Sequence, residues 1–209
     1  MKFTLYGRPG WGSVLIEPQL ALYGFDYEMI DSGDLFGDEE ARQRLAKVNP
    51  LMQVPTLVLP NGHVMTESAA ITLHLADLAK SNVLVPSPDD PTRAEFLRWL
   101  VYLVTNVYQT FAYGDVPTRF VPDPQAAEAF KTKVGEYREK LWHPVEAAAG
   151  APWFLGNRFS ALDLYIVAMT YWTPRREWFA AHAPKLTTIA KTTEGAPKLS
   201  EIWKRNFLR

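Results

Sequence analysis

Short strand-like runs and stretches with apolar residues at helical spacing alternate along the first 80 residues; the helical spacing then takes over. Residues 2–6 (KFTLY) read as a compact strand, and Gly7, Pro9, Gly10 and Gly12 impose a turn after it. Residues 13–24 read as the first helix, with Pro18 kinking it or moving its start, because proline lacks the N–H and clashes with the preceding turn. Residues 27–31 form a second strand. Residues 38–47 place acids first and bases last, as a helix dipole favours, and end at Asn49-Pro50. Residues 54–59 are a strand, Asn61-Gly62 a hairpin turn and 63–66 the returning strand. Residues 69–79 are helical. The strand, helix, strand, helix, hairpin, helix order predicts a small α/β sheet with parallel pairing and antiparallel edges.

Residues 81–91 (SNVLVPSPDDP) are rich in turn formers and read as a linker. Beyond them, 92–113 and 125–148 are helical around a proline-broken loop at 115–124. Ser160 stands three residues before Asp163 at the head of an apolar run, the spacing of an N-cap with a reciprocal acidic partner. Pro174, Pro184 and Pro197 punctuate the remainder, and 198–206 supply a last short helix. The expected organisation is an α/β domain at 1–80, a linker at 81–91 and an all-helical domain at 92–209.

Composition and charge remove several chemistries. With no cysteine in 209 residues, disulfides, thiolate metal sites, a CxxC redox centre and a cysteine nucleophile are excluded. The formal net charge is -1 and no basic stretch is interleaved with aromatics, so nucleic acid is not an expected partner. Residues 1–80 are net acidic and 81–209 net basic, which fits two domains. The four histidines show no metal-ligand spacing, so no metal is expected. The apolar runs at 48–66 and 99–114 are proline-broken or too short to span a membrane, and the N-terminus breaks into Gly and Pro before a signal core forms. A soluble cytoplasmic protein is expected.

Three fragments carry candidate chemistry. Ser13 falls where a glycine-rich turn enters a helix, so its hydroxyl either caps that helix or stabilises a bound thiolate; Tyr6, at the end of the strand, is the alternative hydroxyl. The run spells neither nucleotide-binding glycine motif. Gln53, Val54 and Pro55 open a strand, where the Val54 backbone is placed to meet a peptide-like ligand. Glu67 and Ser68 open a helix and suit an amino-acid end carrying both ammonium and carboxylate. Tyr102, Asn106 and Tyr113 fall on one face at α-helical spacing, and this face, with Trp172, is read either as an apolar pocket or as core.

Together TLYGRPGWGS, NPLMQVPTLVLPNGHVMTESAAI and FLGNRFSALDLYIVAM resemble the cytosolic glutathione S-transferases over essentially the whole chain. The resemblance implies a thioredoxin-like α/β N-terminal domain with an all-α C-terminal domain. It implies glutathione as cosubstrate, no permanently bound cofactor, a small hydrophobic electrophile as second substrate and a homodimer. Val54 and a cis Pro55 would pair with the cysteinyl backbone of glutathione, Gln53 would assist, and Glu67 with Ser68 would hold the γ-glutamyl group. Ser13 matches the thiolate-stabilising serine of bacterial relatives. Gly12 stands where the bacterial beta class commonly has cysteine, which favours a serine-type over a cysteine-type enzyme. Trp11, Tyr102, Asn106, Tyr113 and Trp172 would line the second-substrate pocket, and Ser160 with Asp163 match the family's capping box. A glutathione-binding protein without catalysis, or a glutathione-dependent isomerase or peroxidase, are the alternatives.

Overall fold

The computed structural model describes residues 2–207. Its packing divides the chain into two compact units, one running to Val85 and completed by the residues from Glu194 onward, the other Pro86–Thr193.

In the first unit, β1 (Lys2–Gly7) pairs in parallel with β2 (Asp26–Asp31) and antiparallel with β3 (Thr56–Val58), which pairs with β4 (Val64–Met65); the sheet order is β2-β1-β3-β4. Alternation along β1 sends Phe3 and Leu5 to one face and Tyr6 to the other. Phe3 and Leu5 join Ile16, Leu20, Leu57, Leu59, Ile71 and Leu75 in a buried cluster that docks α1 (Glu17–Tyr23) and α3 (Ser68–Ala79) on the sheet. Tyr6 packs with Trp11 and Val54 against Leu35, Ala41 and Leu45, the last two from α2 (Glu39–Ala46).

Pro18 shifts the first helix rather than kinking it. A 3-10 turn occupies Gly12–Leu15, and α1 begins afresh at Glu17 with the proline in its first turn, where no N–H is missed. Helix α2 is capped by Asp38, whose carboxylate accepts from the Ala41 N–H.

The second unit is helical: α4 (Arg93–Tyr102), a π segment (Leu103–Tyr108), α5 (Gln109–Asp115), α6 (Pro124–Ala148), α7 (Ala161–Tyr171), α8 (Arg176–His182) and α9 (Pro184–Glu194), which ends at the unit boundary. Every residue from Ala161 to Thr170 is buried, so α7 is its central rod. The last helix, α10 (Pro197–Phe207), packs on α1 in the first unit although the sequence places it after the helical region. No helix among the described residues is long and apolar enough to cross a membrane.

Candidate functional site

The turn after β1 is built around Ser13. Its hydroxyl donates to the Arg8 carbonyl and accepts from the Arg8 N–H, each at 3.2 Å, and the side chain is 1% exposed. Gly7 makes room for it: a Cβ there would lie 2.2 Å from both Cβ and Oγ of Ser13. Trp11 is stacked on Phe36 with centroids 4.7 Å apart, while the Arg8 guanidinium lies 5.3 Å from the Trp11 ring centroid and 3.6 Å from Asp34. The common packing of Tyr6, Trp11 and Val54 brings the first two candidate fragments together.

The Val54–Pro55 peptide is cis. Its approach is held by a residue that sequence reasoning passed over, the buried Asn49. The Asn49 amide donates to the Gln53 carbonyl (3.1 Å) and to Thr56 Oγ1 (3.0 Å), and Thr56 in turn donates to the Gln53 carbonyl at 2.7 Å. Gln53 is exposed, Val54 half-buried and Pro55 buried. The available signal was an asparagine just ahead of the proline-bearing turn, which read only as a helix stop.

Glu67 adopts φ 64°, a left-handed conformation uncommon outside glycine, and directly precedes α3. No side chain caps this helix. Ser68, its first residue, is 3% exposed, and among the described residues its hydroxyl has no hydrogen-bond partner. The buried Gln19 amide bridges the Leu15 carbonyl (2.6 Å) and Thr72 Oγ1 (2.8 Å), tying α3 to the segment that follows Ser13. A strained backbone and, among the described residues, an unmet buried hydroxyl thus coincide at this helix start.

In the second unit the expected aromatic face divides. The π segment changes the register between α4 and α5, so the spacing that sets Tyr102 and Tyr113 on one side of a continuous α-helix no longer applies. The Tyr102 ring meets Trp99 edge-on and its hydroxyl donates to the Leu141 carbonyl at 3.0 Å, while Tyr113 meets Phe120. Asn106 lies within the π segment and donates to Thr105 Oγ1. Trp172 instead stacks on Tyr108 (5.5 Å, 23°) and receives Phe111 edge-on. The buried Arg138 supports that group from α6, donating to Thr110 Oγ1 (2.7 Å) and the Thr110 carbonyl (2.8 Å) with its guanidinium 4.3 Å from the Phe111 ring.

Ser160 and Asp163 form a reciprocal capping box. Ser160 Oγ accepts from the Leu162 N–H at 3.3 Å, and the Asp163 carboxyl accepts from the Ser160 N–H at 2.8 Å and the Phe154 N–H at 2.8 Å. Burial pushes the Asp163 carboxyl up to about 6 despite those donors.

Comparison with known proteins relates the chain to a family. The description of the glutathione S-transferase N-terminal domain matches residues 1–77. The chain is 39% identical over 203 residues to the uncharacterised GST-like protein YncG of Escherichia coli K12, covering 97% of each. It is 28% identical to the glutathione S-transferase GstA of Escherichia coli O157:H7 over 80% of this chain and 81% of that one. Among solved structures, a Sulfitobacter glutathione transferase homologue with bound glutathione superposes with TM-score 0.87 at 24% identity, covering 99% of both chains. A sphingomonad glutathione S-transferase complexed with glutathione superposes with TM-score 0.76 at 25% identity, over 99% of this chain and 100% of that one.

Proposed function

The chain belongs to the glutathione S-transferase family, and from that premise we propose that it binds glutathione on its first unit and activates the thiol for attack on a small hydrophobic electrophile. The observation that carries the reading is the buried Ser68 hydroxyl, which has no partner among the described residues, at the start of a helix that none of them caps. A buried polar group left unmet costs roughly 1–3 kcal/mol, a cost that a bound carboxylate removes. In this reading Ser68 and Glu67 hold the γ-glutamyl end, Val54 offers its backbone beside the cis Pro55 to the cysteinyl part, and Gln53 assists.

The thiolate forms beside Ser13. That hydroxyl exchanges its long 3.2 Å bond to the Arg8 carbonyl for a stronger bond to the anionic sulfur. Stabilising the anion lowers the thiol pKa, so the proton passes to solvent water without a separate strong base; the sulfur electron pair then forms the S–C bond as the electrophile's leaving group departs with its bonding pair, or as an activated double bond opens and its far carbon takes a proton from water. The aromatic residues around Trp172 receive the apolar substrate. No resident cofactor is involved, and the protein works as a cytoplasmic homodimer in the serine-type manner.

A second reading of the hydroxyl rests on a specific observation: both hydrogen bonds of Ser13 go to the Arg8 backbone, while Tyr6 packs against the same Leu35, Ala41 and Leu45 cluster as Val54. Here Tyr6 meets the sulfur and Ser13 only shapes the turn. Calorimetry with glutathione, an electrophile panel with product identification, and the ultraviolet signal of the bound thiolate against pH test both. Ser13→Ala is expected to raise the bound thiol pKa by about one unit or more and to lower conjugation about tenfold to a hundredfold. The same loss in Tyr6→Phe with Ser13→Ala unaffected transfers the role to Tyr6. Glutathione binding with no turnover of any kind leaves a binding protein, and product identity separates conjugation from isomerisation or peroxide reduction.

A further inference from the structure

The last helix reaches back to the glycine-rich turn, almost the length of the chain away in sequence. Helix α10 buries Leu199, Ile202 and Trp203, and it packs on α1. Its final residues make a different set of contacts. Glu17, at the start of α1, is 1% exposed, and a buried carboxylate demands donors. Arg205 supplies two, from Nε at 3.1 Å and from Nη2 at 2.5 Å, and Nη2 also lies 3.5 Å from the Tyr27 hydroxyl. Asn206 supplies a third, from Nδ2 at 2.9 Å, and the same Nδ2 donates to the Ile202 carbonyl at 2.8 Å.

These contacts fix the Asn206 amide in one orientation, with its oxygen turned outward to accept from the Gly10 N–H at 3.0 Å. Gly10 has φ 79°, and a Cβ there would stand 3.2 Å from the Asn206 carbonyl oxygen, so the turn and the helix end approach as closely as glycine permits. Gly10 lies between Arg8, whose backbone holds the Ser13 hydroxyl, and Trp11, whose N–H donates to the Arg8 carbonyl at 3.0 Å. A shift of the Gly10 peptide therefore moves Trp11 and the Arg8 backbone that holds the Ser13 hydroxyl.

We propose that Asn206 is a positioning residue for this site: oriented by Glu17 and Arg205, it clamps the Gly10 peptide and so fixes the Arg8–Ser13 turn in the geometry that receives the thiol. The clamp rests on the glutathione reading for its consequence, but not for its existence. It assigns the C-terminal end of the chain to the binding apparatus of the N-terminal fold.

The test compares wild type with Asn206→Ala in three measurements: glutathione affinity by calorimetry, the bound thiol pKa, and hydrogen exchange at the Gly10 amide. Glu201→Ala, on the exposed Glu201–Lys204 pair of the same helix, serves as control. The expected result for Asn206→Ala is an affinity loss of about tenfold, a raised bound thiol pKa and faster exchange confined to the turn, with exchange in the core of α10 unchanged. Unchanged affinity and thiol pKa in a folded Asn206→Ala overturn the proposal. If Asn206→Ala does not fold, Asn206→Leu is read in its place; it keeps the side-chain size but offers no acceptor to the Gly10 N–H, and the same losses are expected. If wild type itself binds no glutathione, the functional reading fails separately; exchange at Gly10 then decides the clamp, selective acceleration sustaining it and no change overturning it.

Discussion

Two helix starts in this chain carry the same residue types, an acid and a serine, and use them in opposite ways. At α7 the Asp163 carboxyl accepts two backbone N–H groups, and the Ser160 hydroxyl accepts a third. At α3, Glu67 is exposed in a left-handed conformation, no side chain caps the helix, and the buried Ser68 hydroxyl is unpartnered among the described residues. Composition does not separate them; satisfaction of the hydrogen-bonding groups does. A polar cluster whose demands are met internally stabilises the fold, and one left open by a strained backbone is available to a ligand.

The sharpest way to break this contrast is Asp163→Ala. It leaves the buried Phe154 and Ser160 N–H groups unmet, and the expected loss is about 3 kcal/mol or more by chemical denaturation. Glutathione affinity of the molecules that remain folded should be unaltered. The carboxyl also carries a pH signature. Its folded-state value of about 6 lies above the ordinary range near 4, so the folded protein binds this proton more tightly than the unfolded chain does. The associated stabilisation is fully present below about pH 4 and is lost as pH rises through about 6. Wild type should therefore lose stability relative to Asp163→Asn between those values; parallel stability curves would show that no such proton is held there.

Ser68→Ala is the opposite case. Removing a buried hydroxyl with no partner among the described residues should leave stability within about 0.5 kcal/mol of wild type or raise it slightly. Glutathione affinity should fall on the order of tenfold, read by calorimetry. A stability loss as large as that of Asp163→Ala would erase the distinction between the two helix starts.

The same distinction explains what was legible in the sequence. Strands, hairpin and helix ends were readable because their causes are local: Asn61-Gly62 for the turn, Ser160 as a cap, and Pro184 and Pro197 as punctuation that the structure resolves into helix starts. Ser160 with Asp163 could be paired from their spacing alone. At the candidate site the residue types of the turn and of Glu67-Ser68 were visible, but their supports were not. Asn49 fixes the turn before Val54 through a carbonyl and a hydroxyl on either side of it, and Asn206 reaches Gly10 across 196 positions. Neither follows from periodicity. Pro18 allowed two outcomes, and the choice between a kink and a new start was made by packing.

The smallest expected effect probes the π segment, where spacing misleads. Tyr102, Asn106 and Tyr113 share a face only if the helix keeps one period from 102 to 113, and the segment Leu103–Tyr108 interrupts it. The Tyr102 hydroxyl is spent on the Leu141 carbonyl in α6, so Tyr102→Phe should cost about 1 kcal/mol of stability. Preference among electrophiles should not change. Trp172→Ala, which removes the ring stacked on Tyr108, should change that preference by severalfold, since one apolar contact is worth about 1–3 kcal/mol in discrimination. Selectivity that follows Tyr102 and ignores Trp172 would restore the single-face reading and show that the helix register, as drawn by the π segment, does not govern the second substrate.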